Sequence, residues 1–208
     1  MERSRPLPAV VVAAASYLIG AVPSAQLIAR VAGGTDLRRH GTGTVSAGAL
    51  LPVSGPAAVV AAGALDVAKG TVGPLLARPD QRPVLAAVAG AAAIAGHNWS
   101  LFLRGAGGRG FSPALGSLLV LAPEGTAVLL AGVAVGRAAT GDSAIGALGA
   151  YAALPFVLYR TRGRSGALIA AALLTPMLAK RIAGNRPAGE PRAYLWRLVF
   201  DRDQWRKP

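Results

Sequence analysis

The chain has no cysteine, and only 15% of its 208 residues are charged. Without cysteine there is no disulfide framework and no thiolate nucleophile. Soluble globular domains carry about 25% charged residues, so the shortage of charge argues against a soluble domain. We expect neither a bound metal ion nor an organic cofactor.

Acidic residues are also scarce, since 9 Asp and Glu stand against 22 Lys and Arg, for a net charge of +13. A soluble nucleic-acid-binding protein would gather this charge on one folded polar face. Here the basic residues lie in short loops and in the tail. That placement predicts no nucleic-acid partner and favours contact with anionic lipid head groups.

Hydrophobic residues are abundant, at 53% of the chain with a mean hydropathy of +0.46. They form blocks long enough to span a bilayer, separated by loops rich in arginine, glycine and proline. Only helices satisfy every backbone group within one segment in hydrocarbon. The sequence therefore predicts an all-α, polytopic integral membrane bundle. We expect one domain over residues 1–208, with a basic cytoplasmic tail from about residue 180.

The hydropathy pattern gives five apolar spans and one ambiguous segment. The spans cover residues 7–32, 52–77, 84–103, 140–159 and 166–179, with a basic loop at 160–164. The first is expected to be a retained helix bent by Pro23, not a cleaved signal peptide. Residues 111–137 are either one tilted span or two short helices divided near Pro123, and the second alternative gives about seven helices. Tyr194, Trp196 and Trp205 suit an interfacial position.

Lysine and arginine counts predict the orientation of a seven-helix arrangement. The side that holds Arg38, Arg104, Arg137 and the tail carries about twice as many basic residues as the other side. The positive-inside rule places that side in the cytoplasm. The basic loop at 160–164 then lies outside and fits this orientation least well.

A glycine-rich loop follows the third span and is a candidate anion site. Gly107, Gly108 and Gly110 allow the backbone to turn several N–H groups toward one point, and Arg104 and Arg109 add positive charge. The alternative is an ordinary interhelical turn with arginines that anchor it at the membrane interface.

Three ionisable residues lie within spans, which hydrocarbon penalises. Asp66 and Lys69 are three residues apart in the second span, and His97 is late in the third. Such residues are functional candidates. The alternatives are a structural ion pair and a packed interfacial histidine.

In this order, the motifs resemble the bacterial acyl-phosphate glycerol-3-phosphate acyltransferases. The similar stretches are residues 17–23, 36–43, 66–70, 96–97, 102–104 and 107–110. The resemblance implies transfer of a fatty acyl group from acyl phosphate to glycerol 3-phosphate at the membrane, giving lysophosphatidic acid for phospholipid synthesis. Its partners would be these two phosphates and membrane lipids.

The resemblance also implies roles for individual residues. Thr42 would bind the reacting hydroxyl or phosphate, and His97 would line the site or carry a proton. The phosphate-binding set would comprise Arg38, Gly41, Gly43, Lys69, Arg104, Gly107, Gly108, Arg109 and Gly110.

The chain departs from the family pattern at several polar positions. Thr44 stands where an asparagine is usual, residues 46–49 lose two further polar groups, and the histidine and asparagine of a third motif are absent from residues 175–181. The alternative function is therefore a catalytically impaired paralogue that binds an anionic lipid or a phosphorylated metabolite. A small transporter that uses Asp66, Lys69 and His97 as a polar path is the third hypothesis.

Overall fold

The protein is a bundle of α-helices, seen in a computed structural model that describes residues 6–201. Eight α-helices follow in chain order: α1 (Ala9–Ala21), α2 (Ser24–Gly33), α3 (Leu51–Ala77), α4 (Pro83–Asn98), α5 (Phe111–Leu121), α6 (Pro123–Thr140), α7 (Ser143–Ala183) and α8 (Arg192–Phe200). Short 3-10 turns occupy Leu37–Arg39, Ala47–Leu50 and Leu101–Leu103. Trp205, expected at the interface, lies outside the described residues.

Two features of these helices make the number of spans differ from the number of helices. α1 and α2 form one apolar span, Ala9–Gly33, broken at Val22 and Pro23. α7 is interrupted at Gly163, where φ is 62° and ψ is −142°. A Cβ on Gly166 would overlap the carbonyl oxygen of Leu158. In a straight helix these residues would be about 12 Å apart along the axis, so the chain reverses at Gly163.

Counted in this way, the described residues contain seven apolar helices, which confirms the predicted all-α membrane bundle. Four segments are long and apolar enough to cross a bilayer: Ala9–Gly33, Ala47–Ala77, Pro83–Leu103 and Ser143–Ala183. The ambiguous segment is two helices, because Ala122 (φ −162°, ψ 79°) separates α5 from α6. α6 has 18 residues and is longer than the short helix expected there.

The segment at 160–164 differs from the basic loop that the sequence predicted. It is helical up to Gly163 and helical again after it, so the reversal needs a single residue. Arg162 in this segment pairs with Glu124 in the first turn of α6, with Nε and Oε1 2.5 Å apart. A single glycine with positive φ therefore makes the turn for which a longer loop was predicted.

Small residues let the helices cross at close range. A Cβ on Gly20 of α1 would overlap the carbonyl of Ala93 in α4. Gly116 of α5 lies equally close to Val67 of α3, and Gly136 of α6 touches Gly146 of α7. Backbones that approach this closely gain van der Waals contact where lipid supplies no hydrophobic driving force between helices.

The described part of the tail, residues 180–201, forms a helix end and a further helix, where the sequence predicted only a basic tail. Lys180 and Arg181 are buried in the last turn of α7, and α8 packs back against that helix. The C-terminal carbonyls of a helix have no partner within it. Arg181 donates to the carbonyls of Arg197, Leu198 and Val199 in α8, and Arg197 donates to those of Ile182 and Ala183 in α7. Each helix end is thus capped by an arginine of the other.

Candidate active site

The break between α1 and α2 exposes backbone groups inside the bundle, and two side chains bind the carbonyls at the break. Ser100 Oγ donates to Ala21 O at 2.5 Å, and Lys69 Nζ donates to Val22 O at 2.8 Å. Tyr17 Oη donates to Trp99 O at 2.7 Å and joins α1 to the end of α4. Unpaired carbonyls cost several kcal/mol in hydrocarbon, which explains why polar residues gather at this depth.

Asp66, Lys69 and His97 form one buried cluster beside this break. Lys69 Nζ is 2.8 Å from Asp66 Oδ1, and His97 Nδ1 is 3.8 Å from the same oxygen. Their side chains are at most 7% exposed. Asp66 thus lies between two basic groups contributed by α3 and α4, and the structure brings together three residues that the sequence singled out.

A small cavity adjoins the cluster and reaches the glycine loops. Its lining includes Ser24, Val45, Ser100 and Gly107 as well as the three ionisable side chains. The enclosed volume is about 10 Å³, which holds about one water molecule. A phosphate group needs more room, so it would bind at the open side of the loops.

The loop with Gly107 and Gly108 packs directly on the end of α4. A Cβ on Gly107 would overlap the carbonyl oxygens of His97 and Asn98, and one on Gly108 would overlap the His97 imidazole. The Gly108 N–H donates to His97 O at 3.1 Å, and the Gly107 N–H donates to Asn185 Oδ1 at 3.1 Å. Both amides are therefore engaged within the chain, and close packing accounts for both glycines.

The arginines of the predicted phosphate site are distributed differently. Arg109 turns away from the cavity and donates to the carbonyls of Lys180 and Arg181, while its Nε is 2.9 Å from Asp201 Oδ1. It caps the end of α7, an attractive position for a cation because of the helix dipole. Arg104 is exposed, with left-handed backbone at φ 56°.

Arg38 forms a bidentate pair with Asp36 in the loop after α2. Its Nε lies 2.9 Å from Asp36 Oδ1, and its Nη2 lies 2.7 Å from Oδ2. These bonds lower the pKa of Asp36 from 3.8 to about 2 and raise the pKa of Arg38. The pair is partly exposed, so Arg38 can exchange this partner for another anion.

Thr42 lies on the same loop between two left-handed glycines. Its Oγ1 is 2.9 Å from Thr44 Oγ1, and Gly41 and Gly43 have φ values of 50° and 72°. The Val45 N–H donates to Gly107 O at 3.0 Å, which joins this loop to the loop after α4. Gly110, also with positive φ, packs against Ile94 and begins α5.

Three polar residues of the site were missed by the sequence interpretation: Ser24, Ser100 and Asn185. Ser24 begins α2 immediately after Pro23, so a hydroxyl at a helix break was the available signal. Ser100 follows α4 in the stretch that already held His97. Nothing in the sequence indicates Asn185, because its contacts depend on how α7 ends.

Two apolar grooves open on the outer surface of the bundle. One, of about 410 Å³, lies between the α1–α2 span and α3, and Ser24 and Lys69 line both this groove and the small cavity. The other, of about 320 Å³, lies between α4 and the second half of α7 and has no charged lining residue. Only the first groove therefore leads from the lipid-facing surface to the ionisable cluster.

Comparison with known proteins places this geometry in a family. A family model described as "Glycerol-3-phosphate acyltransferase" matches residues 10–185, which include both loops and the ionisable cluster. The chain belongs to the glycerol-3-phosphate acyltransferase family. α8 lies beyond the matched residues of this family member.

Individual relatives agree with this assignment. A glycerol-3-phosphate acyltransferase of Desulforudis audaxviator is 42% identical over 60% of the chain, which spans only 63% of that relative's length. One of Roseobacter denitrificans is 37% identical over 81% of the chain and 84% of its own. The crystal structure of PlsY (YgiH), an integral membrane glycerol 3-phosphate acyltransferase in its glycerol 3-phosphate form, superposes with a TM-score of 0.78. At 20% identity over 94% of both chains, it shows that the fold is shared.

Proposed function

We propose that this family member transfers a fatty acyl group from acyl phosphate to the 1-hydroxyl of glycerol 3-phosphate, giving lysophosphatidic acid. One observation carries the proposal. The family-matched region holds two glycine loops and a buried Asp66–Lys69–His97 cluster, and direct hydrogen bonds join them to each other. Relatives that carry the name of this activity match 60% and 81% of the chain.

In this reaction the hydroxyl oxygen attacks the acyl carbonyl carbon and forms the ester bond. The bond from that carbon to the phosphate oxygen breaks, and phosphate leaves with the bonding electrons. We assign His97 to carry the hydroxyl proton and Thr42 to orient the glycerol. Acyl phosphate is already activated, so positioning and charge stabilisation supply much of the rate without a protein nucleophile.

The acyl chain of the donor is proposed to lie in the groove between the α1–α2 span and α3. This placement supports the reaction because Lys69 and Ser24 stand at the inner end of that groove. The phosphate of glycerol 3-phosphate would bind on the open face of the loops, near Arg38, Gly41 and Gly43. The amides of Gly107 and Gly108 and the guanidinium of Arg109 already have partners within the chain, so these residues would support the loops, with Arg104 and Gly110 at the margin of the phosphate site.

The basic side of the bundle is proposed to face the cytoplasm of a bacterial cytoplasmic membrane. This orientation follows from the positive-inside rule, which acts on lysine and arginine in short loops. It would present the loops with Thr42 and Gly107 to soluble glycerol 3-phosphate, while the acyl donor arrives through the bilayer.

The direct test is turnover by purified protein in lipid nanodiscs. Acyl phosphate and glycerol 3-phosphate should yield lysophosphatidic acid and phosphate in equal amounts, measured by mass spectrometry and phosphate release. Lys69→Met should lower kcat/KM by about 100-fold, on the scale of losing one preorganised charge. The Roseobacter denitrificans relative is the positive control.

A lack of turnover beside an active control would refute the proposal. Glycerol 3-phosphate or phosphatidic acid that still bound, and bound less tightly to Arg38→Ala, would then establish the impaired paralogue. Solute flux into proteoliposomes that Asp66→Asn abolished would instead establish the transporter.

A further inference from the structure

Asn185, just beyond the end of α7, connects both glycine loops through its side chain. Its Nδ2 donates to Gly43 O at 3.1 Å and to Gly107 O at 2.8 Å. Its Oδ1 accepts the Gly107 N–H at 3.1 Å. Two donors and one acceptor of a single amide are thus used on backbone groups of two separate loops.

The loops need such a connection because neither has regular secondary structure at these positions. The first loop turns through left-handed glycines at 41 and 43, and the second turns through Gly105 and Gly110. Between them the Val45–Gly107 bond is a single backbone link. One hydrogen bond permits rotation about its axis, whereas the added contacts of Asn185 fix both separation and orientation.

Asn185 is itself held from behind by the C-terminal helix. Arg197 Nη2 donates to Arg186 O at 2.9 Å, and Arg197 Nη1 donates to Ala183 O at 2.7 Å. Gly184 leaves the space that the Arg197 guanidinium occupies. The segment with Asn185 is therefore anchored on both sides by a side chain of α8.

We infer that Asn185 is a positioning residue that sets the distance between the two substrate-binding loops. The inference rests on the proposed function, because those loops are taken to hold glycerol 3-phosphate. The histidine and asparagine of the third family motif are absent from residues 175–181. Asn185, four residues later, supplies an amide from a different position.

Asn185→Ala should raise the KM for glycerol 3-phosphate by about tenfold or more, since misplaced binding groups weaken substrate positioning. A purely structural defect would instead lower the active fraction and kcat while KM stayed constant. Asn185→Gln provides the conservative rescue. Its amide keeps both donors and the acceptor on a longer side chain, so its KM for glycerol 3-phosphate should lie closer to that of wild type than the KM of Asn185→Ala does.

Hydrogen exchange gives a second measurement that needs no turnover. In Asn185→Ala the amides of Val45 and Gly107 should exchange faster, while those in α4 should be unchanged. Arg192→Ala is the matched control, because Arg192 is an exposed arginine in the first turn of α8. Unchanged KM together with unchanged exchange would overturn the inference. Faster exchange in a protein without turnover would refute the proposed function and leave the positioning role intact.

Discussion

At the scale of single residues, buried charge was the most informative feature of the sequence. Asp66, Lys69 and His97 were singled out because hydrocarbon penalises them, and the structure places them in one cluster. Arg109 behaves differently from its expected position at the cavity. Its guanidinium contacts Asp201, which follows α8, and the last carbonyls of α7. Both contacts depend on how the chain folds beyond the family-matched residues, which the sequence does not show.

Asp36 provides a residue-scale prediction with a defined pH dependence. Its pKa in the folded protein is about 2, below the ordinary 3.8, so the pair with Arg38 stabilises the fold above that range. The contribution is lost as pH falls through the folded pKa. Asp36→Asn should therefore lower stability by about 0.5 kcal/mol at pH 7, as is usual for partly exposed pairs.

The measurement is thermal unfolding in detergent, followed by tryptophan fluorescence. The difference between wild type and Asp36→Asn should be constant from pH 5 to 8 and shrink below pH 4. Asp80→Asn, an exposed position in the loop between α3 and α4, is the control. A difference that grew on acidification would contradict the assigned direction.

At the scale of elements, apolar length and proline placement predicted the helices well, and their interruptions less well. The break at Pro23 and the division near Pro123 were both anticipated, since proline removes a donor and disfavours helix before it. The reversal at Gly163 was expected to need a loop. A single glycine with positive φ has no signature that distinguishes it from other glycines in a helix.

The groove between the α1–α2 span and α3 gives an element-scale prediction. Ala68 lies in this groove at an exposed position, and Ala171 lies in the groove between α4 and α7. Ala68→Phe should reduce kcat/KM for long-chain acyl phosphate by about tenfold relative to a short-chain donor, because the ring fills space that the chain needs. Ala171→Phe should leave that ratio unchanged.

Chain-length profiles of the two variants in nanodiscs are the measurement. A non-hydrolysable acyl phosphonate with a photoreactive tail adds a binding readout, and it should crosslink to α2 and α3 in wild type. Crosslinks confined to α4 and α7 would show that the acyl chain binds in the other groove and would contradict this prediction.

At the scale of the whole molecule, the number of helices followed from hydropathy, whereas their mutual arrangement did not. Glycines 20, 70, 116 and 146 are among the closest crossings, yet the chain has 27 glycines and several of them lie in turns and at helix ends. The placement of α8 was also beyond the sequence. α8 is attached through hydrogen bonds from Arg181 and Arg197 to carbonyls at helix ends. The sequence pattern does not indicate that these arginines reach those carbonyls.

Orientation in the membrane is the whole-molecule prediction. Because the chain has no cysteine, single introduced cysteines report accessibility directly. In intact spheroplasts, Arg164→Cys should react with an impermeant maleimide, and Arg104→Cys should react only after lysis. The reverse pattern would invert the proposed topology.

The broken first span has a consequence for how the protein enters the membrane. The carbonyls of Ala21 and Val22 find their side-chain donors on Ser100 and Lys69, which are synthesised 79 and 47 residues later. Val22 O also accepts the Ser24 N–H within the span, but until the chain after α4 arrives the carbonyl of Ala21 lacks its Ser100 donor, and an unpaired peptide group is costly in hydrocarbon. The first span is therefore incomplete as an independent membrane helix, and it must keep contact with water or with the insertion machinery until the third span emerges.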